Sequence, residues 1–559
     1  MNTLIKRNML ITLLAVFSFS YVFLFMLMDT FVGVYDEGII LTGAMRVSEG
    51  DIPHRDFYLN YGPAQFYILS WLFEIFGQKV IVERMLDLFF RAGILIFIFL
   101  ILVQNCTKKV TFTVSVVALL WLCAVGNHGY PVYACLFFSL FSSYLTLKAL
   151  NQNFANKYLI TSGILTGITA WFRYDVGFFL CVSTLISIAI TQYSKNERAE
   201  FNQLVKKLFY YALASATPVV ILLVWYLKVS AFNDFIHDII TFPIENYAKT
   251  RELPFPRPLE ISTGAIYFPP AITLAFLIFN FKEKIHFHHQ STSKNQLAIF
   301  QNHEIKVLWV FTLLTLFFYL KGIVRVSTEH MQLALIPSLI VLGIMLNGLL
   351  AKDNWFKLFV VTLFAITTLS ATSYTLKKVF KKNKLENIVI SNLSLIGEKQ
   401  KPRREYSQLS VHHSESENKK INLNLNALFQ TKEQFRQQAI DFIISRTKPN
   451  SRIFLGLHRH DIVFANDVSA YFQTNRLPAT KWHQFDPGLQ NSSNIQQDII
   501  NDLQKNKPVY VWLDSSWSAR HEPNESSLSS GVYLLDGYIK QNYHMIKSFE
   551  KIEILERNR

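Results

Sequence analysis

Long apolar runs separated by short polar segments fill the first two thirds of the chain. They fall at about 8–33, 80–105, 110–127, 130–148, 158–173, 176–194, 208–229, 261–281, 305–321, 331–351 and 356–377. Most of these runs match the thickness of a hydrocarbon core, so the pattern predicts about eleven spanning helices. The first, Asn8–Met28, is too long for the apolar part of a signal peptide and has no small-residue cleavage site behind it. It reads as a retained helix. Two shorter stretches, Ile39–Val47 and Ala64–Phe76, do not reach across a bilayer and read as helices lying in the interface. Pro63 is placed to start the second.

Beyond the last run the pattern changes. Residues 381–430 are polar, with the adjacent His412 and His413, and read as a linker. In 431–559, Arg452–Leu457, Val509–Leu513 and Ile552–Leu555 have the look of strands, and Asn494–Gln504 and Gly531–Gln541 that of helices. That alternation predicts a small α/β domain. It carries neither GxGxxG nor a P-loop, so nucleotide binding has no support. The predicted organisation is a membrane domain over 1–380 with an outward loop at 34–78, the linker, and a soluble domain over 431–559.

Composition agrees with the pattern. Hydrophobic residues make up 51% of the chain, with 48 phenylalanines. The net charge of +15 is explained by a positive-inside bias rather than by nucleic acid, for which no motif is present. Lys6, Arg7, Lys108, Lys109, Lys148, Lys157, Lys195–Lys207, Lys282–Lys306, Lys352 and Lys357 mark the cytoplasmic side. The Asp36 loop, Gly126–Tyr133, Phe232–Pro258, Lys321–His330 and the C-terminal domain are then extracytoplasmic. Lys377–Lys384 run against this assignment, but charges preceding a long translocated domain weigh less. Cys106, Cys123, Cys135 and Cys181 sit in or beside apolar runs and read as buried thiols.

Candidate chemistry gathers on the outward side. Tyr35-Asp36-Glu37-Gly38, His54-Arg55-Asp56-Phe57 and Asn60-Tyr61-Gly62-Pro63 put three acids on one loop, where carboxylates near lipid are costly. Asp36 and Glu37 point about 100° apart on a helix, so they divide roles rather than act as an equal pair. The plain alternative is that both are first-turn acids favoured by the helix dipole. Arg84, Asp87 and Arg91 share one helix face; Arg84 is placed to meet a lipid phosphate, and Asp87 with Arg91 reads as a structural pair. Arg173, in Trp171–Asp175, suits anion binding through its two-point fork, or else an Arg–Asp pair closing the hairpin. Lys249, Arg251 and Arg257 lie on a Pro- and aromatic-rich loop that either closes over a phosphorylated lipid or anchors at the interface. His330, near Arg325 and Glu329, is either a ligand contact or a satisfied helix-end residue.

Asp36-Glu37-Gly38, Gly43-Ala44, Gly50, Pro53, Arg55-Asp56-Phe57, Tyr61-Gly62-Pro63 and Gly77 together resemble the GT-C class of integral membrane glycosyltransferases. The nearest branch is similar to the bacterial relatives of protein O-mannosyltransferases and of the aminoarabinose transferase acting on lipid A. Gly163–Asp175 also resembles that group. Leu253-Pro254-Phe255-Pro256, Asn466-Asp467, Tyr471-Phe472, Arg476, Pro478-Ala479-Thr480, His483 and Phe485–Gly488 are similar to uncharacterised bacterial members. Where relatives often carry Arg-x-Asp-x-x-His, this chain has Arg325-Val326-Ser327-Thr328-Glu329-His330, and Glu329 breaks the pattern.

The resemblance implies a polytopic α-helical membrane protein of GT-C type with a small extracytoplasmic α/β domain, in the bacterial inner membrane. It implies a polyprenyl-phosphate-linked sugar as donor, an extracytoplasmic lipid, glycan or protein as acceptor, and Asp36 as base. Glu37 and Asp56 would support Asp36. Arg84, Arg173, Lys249, Arg251 and Arg257 would hold the donor phosphate, with Arg55, Tyr61 and His330 on the acceptor side or supporting the loop. No cofactor or metal is required, though adjacent carboxylates permit a divalent cation. The chemistry stands without the name: a sugar on a lipid phosphate already has its leaving group, and needs a carboxylate base and cations for the departing phosphate. The other readings are a transporter or lipid flippase, against which no inverted repeat is visible, and a membrane-anchored assembly protein.

Overall fold

The computed structural model describes residues 2–28, 32–125, 129–152, 155–192, 198–256, 264–288, 303–349, 355–381, 434–462, 465–486, 489–519 and 521–559. The linker 381–430, with His412 and His413, lies outside them apart from its first residue. In chain order the helices are α1 (Asn2–Met26), α2 (Asp36–Ser48), α3 (Ala64–Phe76), α4 (Val80–Asn105), α5 (Lys108–Ala124), α6 (Pro131–Asn151), α7 (Asn156–Phe172), α8 (Tyr174–Gln192) and α9 (Arg198–Lys228). After them come α10 (Phe232–Ile236), α11 (Phe242–Thr250), α12 (Phe268–His288), α13 (His303–Gly322), α14 (Thr328–Leu349) and α15 (Trp355–Lys381). The chain divides into two compact units. One comprises Met1–Thr30, Leu59–Phe242 and Arg251–Val389; the other comprises Phe31–Tyr58, Pro243–Thr250 and Ile390–Arg559. The outward loop expected at 34–78 is therefore shared between them.

The first unit is a helical bundle, and the protein is a multi-pass membrane protein. Eight described helices are long and apolar enough to cross a bilayer: α1, α4, α6, α8, α9, α13, α14 and α15. The other three expected runs are helical too, but α5 and α7 have 17 residues each and the apolar part of α12 is short. Within the bundle, α6, α7 and α9 are joined by hydroxyls rather than by apolar contact alone. Ser142 Oγ lies 2.9 Å from both Ser162 Oγ and Thr166 Oγ1, and Thr166 lies 2.7 Å from Tyr211 Oη. Such links suit lipid-embedded helices, where hydrophobic burial drives association little.

Hydrogen bonds sort the helix ends. At one end, Asn347 Oδ1 accepts from the Thr107 N–H (2.8 Å) and Lys306 donates to the Leu150 carbonyl (3.2 Å). This is the lysine-rich end. At the opposite end, the Gly62 N–H donates to the Phe172 carbonyl at 2.8 Å, and Glu83 accepts from the Gly129 N–H. A Cβ on Gly62 would stand 2.1 Å from the Trp171 carbonyl oxygen, which explains a glycine within Tyr61-Gly62-Pro63. The adjoining α3 exposes Trp71, Ile75 and Phe76.

The second unit is built on a five-stranded mixed sheet of β1 (Arg452–Leu457), β2 (Leu477–Pro478), β3 (Tyr510–Asp514), β4 (Tyr543–Phe549) and β5 (Ile552–Arg557), in the order β2-β1-β3-β5-β4. β1 runs parallel to β2 and β3, while β5 is antiparallel to both β3 and β4. Helices α16 (434–446), α17 (Ser469–Thr474), α18 (Ser493–Asn506) and α19 (Leu534–Asn542) complete it.

Ile39–Val47 does not lie in a lipid interface. It forms most of α2, whose residues from Glu37 to Arg46 are buried within this second unit. Thr42 Oγ1 donates to the Val468 carbonyl at 3.0 Å, and a Cβ on Gly38 would stand 2.4 Å from the Ser469 nitrogen. An apolar helix face needs a nonaqueous partner, and here protein supplies it. The C-terminal motif residues hold this packing. Asn466 donates to the Leu455 and His483 carbonyls at 3.0 and 2.9 Å, and Asp467 pairs with Arg436 at 2.5 Å.

Candidate functional site

In the helical unit, α7 ends and α8 begins at Arg173, whose guanidinium grips Asp175 through two bonds of 3.1 and 2.8 Å. The hairpin-closing pair is thus formed. It is not isolated: Lys321, at the last turn of α13, places its ammonium 3.8 Å from the same carboxylate. Tyr61 lays its ring under Arg173, 5.4 Å from the guanidinium carbon, and meets Tyr130 edge-on. Arg325 donates to the Arg251 carbonyl at 3.4 Å. His330, bonded to Ser327 Oγ at 2.8 Å, has Lys321, Arg173, Arg251 and Arg325 as its strongest electrostatic neighbours. Arg173 and Lys321 thus share Asp175, Arg325 reaches the Arg251 backbone, and the charges of all four bear on His330 at the end of the bundle opposite the lysine-rich one. Such a group is suited to an anion with several oxygens.

Of the other predicted cations, Arg84 is buried in the first turns of α4, next to the buried Glu83. Asp87 and Arg91 form the expected structural pair at 2.6 Å. Arg91 also donates to the Leu122 and Val125 carbonyls and lies over the Tyr133 ring, so it serves the packing of α4, α5 and α6. Lys249 belongs to α11, but its side chain is outside the described residues, as is the whole of Arg257. Lys321 was missed from sequence because a single lysine at a helix end looks like an ordinary interfacial residue.

In the second unit the three loop acids have different employments. Glu37 is 1% exposed and accepts from the Gly33 N–H at 2.5 Å, which ties down the entry to α2. Asp56 accepts from the Ile52 N–H at 2.7 Å and from Arg55 at 3.0 and 2.8 Å. Burial works to raise its pKa, yet these bonds, led by that from Arg55, hold the carboxyl below its usual range. The turn they close contains His54 at φ 70°, the left-handed region. Asp36, the first residue of α2, is exposed, and among the described residues no donor is bonded to its carboxylate.

Arg46 is a further buried charge that its sequence context does not single out. Only 3% exposed, it bonds Asp51 at 2.7 Å, the Asp56 carbonyl at 2.7 Å and the Thr480 carbonyl at 2.9 Å, and it lies over Phe57. Burial pulls its pKa down, opposed by Asp51. Its signal was a lone charge inside an apolar helix. Arg46 also sits 3.4 Å from His483 Nδ1. Burial, reinforced by Arg46, keeps the His483 imidazole neutral, well below the ordinary histidine range. In the unfolded chain His483 takes up a proton below about pH 6.5, whereas the folded unit resists doing so. Stability is accordingly full above that pH and falls as the solution is acidified. The thermal transition of this unit should drop between pH 7 and 5, and His483→Gln should flatten the drop. A wild-type transition independent of pH over that range would contradict this.

No protein-family model and no curated protein sequence matches the chain. Solved structures do. The chain has the fold of GT-C integral membrane glycosyltransferases, as its sequence motifs implied. More particularly, apo ArnT from Cupriavidus metallidurans matches with a TM-score of 0.50 at 11% identity, over 98% of each chain. The same protein bound to undecaprenyl phosphate gives 0.49 at 11% identity, over 98% of this chain and 97% of that one. The archaeal oligosaccharyltransferase AglB from Archaeoglobus fulgidus, in complex with an inhibitory peptide and a dolichol-phosphate, gives 0.47 at 11% identity, over 98% of this chain and 74% of its own.

Proposed function

We propose that the protein is a glycosyltransferase that moves a sugar from a polyprenyl-phosphate-linked donor to an extracytoplasmic acceptor, with inversion at the sugar. The observation that carries this is the group of Arg173 and Lys321 on Asp175, with Arg251 and Arg325 bearing on the same His330, at the end of the bundle opposite the lysine-rich one. A donor of this type leaves as a lipid phosphate, and charge builds on its oxygens as the glycosidic bond breaks. Fixed cations stabilise that charge more in the transition state than in the bound donor, which is the condition for catalysis. The ArnT structure bound to undecaprenyl phosphate and the AglB structure with dolichol-phosphate are of proteins whose ligands have this chemistry.

Asp36 is the proposed base, taking the acceptor's proton as its oxygen or nitrogen attacks the anomeric carbon. Among the three loop acids it is the one whose carboxylate is exposed and not committed to a described bond. No step is assigned to a metal or cofactor. The proposed location is the bacterial inner membrane, with the cation group and the α/β unit on the extracytoplasmic side. Asp36→Asn should fold and express normally yet lose transfer by at least about 100-fold, the loss typical of a missing general base. Full transfer by this variant, measured as release of free polyprenyl phosphate, would remove Asp36 from the mechanism.

A further inference from the structure

Within the helical unit, the backbone of Gly129 is held at both its N–H and its carbonyl by side chains from two different helices. Glu83, in the first turn of α4, accepts from the N–H, and Gln65, in the first turn of α3, donates through Nε2 to the carbonyl at 2.6 Å. Both side chains are buried. A carboxylate and an amide sunk this far from water are costly to retain unless they hold something in place. A Cβ on Gly129 would overlap the Glu83 carboxylate and stand 3.0 Å from Gln65 Nε2, so glycine is what lets both side chains close on the backbone.

What the clamp holds is Tyr130. Gly129 precedes it, and Pro131 follows at the start of α6, where its ring presets the helical backbone, so Tyr130 is fixed from both sides. The Tyr130 ring meets Tyr61 edge-on at 6.2 Å, and Tyr61 lies under the Arg173 guanidinium at 5.4 Å. After Asp175, these two tyrosines are the leading electrostatic neighbours of Arg173. Gly62, next to Tyr61, donates its N–H to the Phe172 carbonyl, one residue before Arg173. A continuous line of contacts thus runs from Glu83 and Gln65 through Gly129, Tyr130 and Tyr61 to Arg173.

We propose that Glu83 and Gln65 are positioning residues for sugar transfer, acting through Tyr130 and Tyr61 to fix the plane of the Arg173 fork. The inference rests on the reading of Arg173 as a ligand of the donor phosphate. Asp175 holds the guanidinium along one edge through two bonds, but an edge-on pair still lets the plane swing about the carboxylate. The Tyr61 ring beneath the fork, braced by Tyr130, removes that swing. Orientation of this kind matters because a misplacement of about 1 Å at a reacting centre can cost about 100-fold in rate. Neither residue touches the substrate, so neither is catalytic in its own right.

The test combines steady-state kinetics with hydrogen exchange on the full-length protein in detergent. Glu83→Leu and Gln65→Leu should each lower kcat with a polyprenyl-phosphate-linked sugar by about tenfold and leave KM within about twofold. Glu83→Gln keeps an acceptor oxygen for the Gly129 N–H and should recover most of the rate. In an Arg173→Met background neither leucine variant should cost anything further, because the group they act through is gone. Exchange of the Gly62 N–H should be about tenfold faster in both leucine variants and in Tyr130→Leu. If Glu83→Leu fails to fold, Gln65→Leu, which removes no charge, carries the same test. Unchanged Gly62 exchange, or losses that multiply with that of Arg173→Met, would overturn the proposal. Faster exchange in a protein whose wild type transfers no sugar would sink the transferase reading and leave the clamp on Arg173 standing.

Discussion

Replacing Arg173 with methionine lowers the turnover of a polyprenyl-phosphate-linked sugar by about 100-fold or more, while the bundle still folds. Arg173 presents a planar fork held by Asp175 and backed by the Tyr61 ring, so little freedom is lost when it meets phosphate oxygens. Methionine keeps much of the aliphatic stem over Tyr61 and removes only the charge and the fork. Because charge grows on the phosphate as the bond breaks, the loss should fall mainly on kcat rather than KM. Arg173→Lys restores charge without the fork and should recover only part of the activity. Steady-state kinetics with a defined lipid-linked sugar reads both values. Unchanged kcat in Arg173→Met would remove the cation group from the chemistry and leave Asp175, Arg173 and Lys321 as a hairpin clasp.

The second large effect is on stability. Arg46→Met should destabilise the α/β unit by about 3–5 kcal/mol, because it strips the donors from the buried Asp56 and Thr480 carbonyls at once. Asp51 loses its partner as well, but it is partly exposed and water compensates it. Lysine at this position reaches one carbonyl rather than two, and should recover less than half of the loss. Denaturant unfolding followed by hydrogen exchange in 451–486 measures the change. A loss below about 1 kcal/mol would mean that apolar packing of α2, rather than Arg46, holds the 51–57 turn in place.

The spans, the strands β1, β3 and β5, and the Asp87–Arg91 pair were legible because each follows from local periodicity or spacing. Arg173-Tyr174-Asp175 was legible as a charged turn between two apolar runs, with both of its readings open. What did not show is what depends on the partner of a surface. Hydropathy says that Ile39–Val47 must avoid water, but lipid and a protein surface satisfy it equally, and the structure chooses protein. Arg46 and Lys321 are single charges at ordinary positions, given meaning only by carbonyls and carboxylates contributed from distant segments. β4 was hidden because Tyr543–Phe549 carries a bulge at Met545/Lys547 and buries only its two ends, so strict alternation fails. Sequence set Asp36 apart from Glu37 and Asp56 through the family resemblance alone; the bonds of the latter two to Gly33, Ile52 and Arg55 add a physical distinction.

Whether the protein transfers sugar or moves lipid is decided most directly with purified protein in detergent, where no membrane or gradient exists. It is incubated with polyprenyl-phosphate-linked sugars and a delipidated cell-envelope extract as acceptor, and free polyprenyl phosphate is quantified by mass spectrometry. A glycosyltransferase releases polyprenyl phosphate and glycosylates the extract, and Asp36→Asn and Arg173→Met each abolish both. Intact sugar-lipid in detergent, together with its movement across the bilayer when the same protein is placed in vesicles, would contradict transfer and establish a lipid transporter.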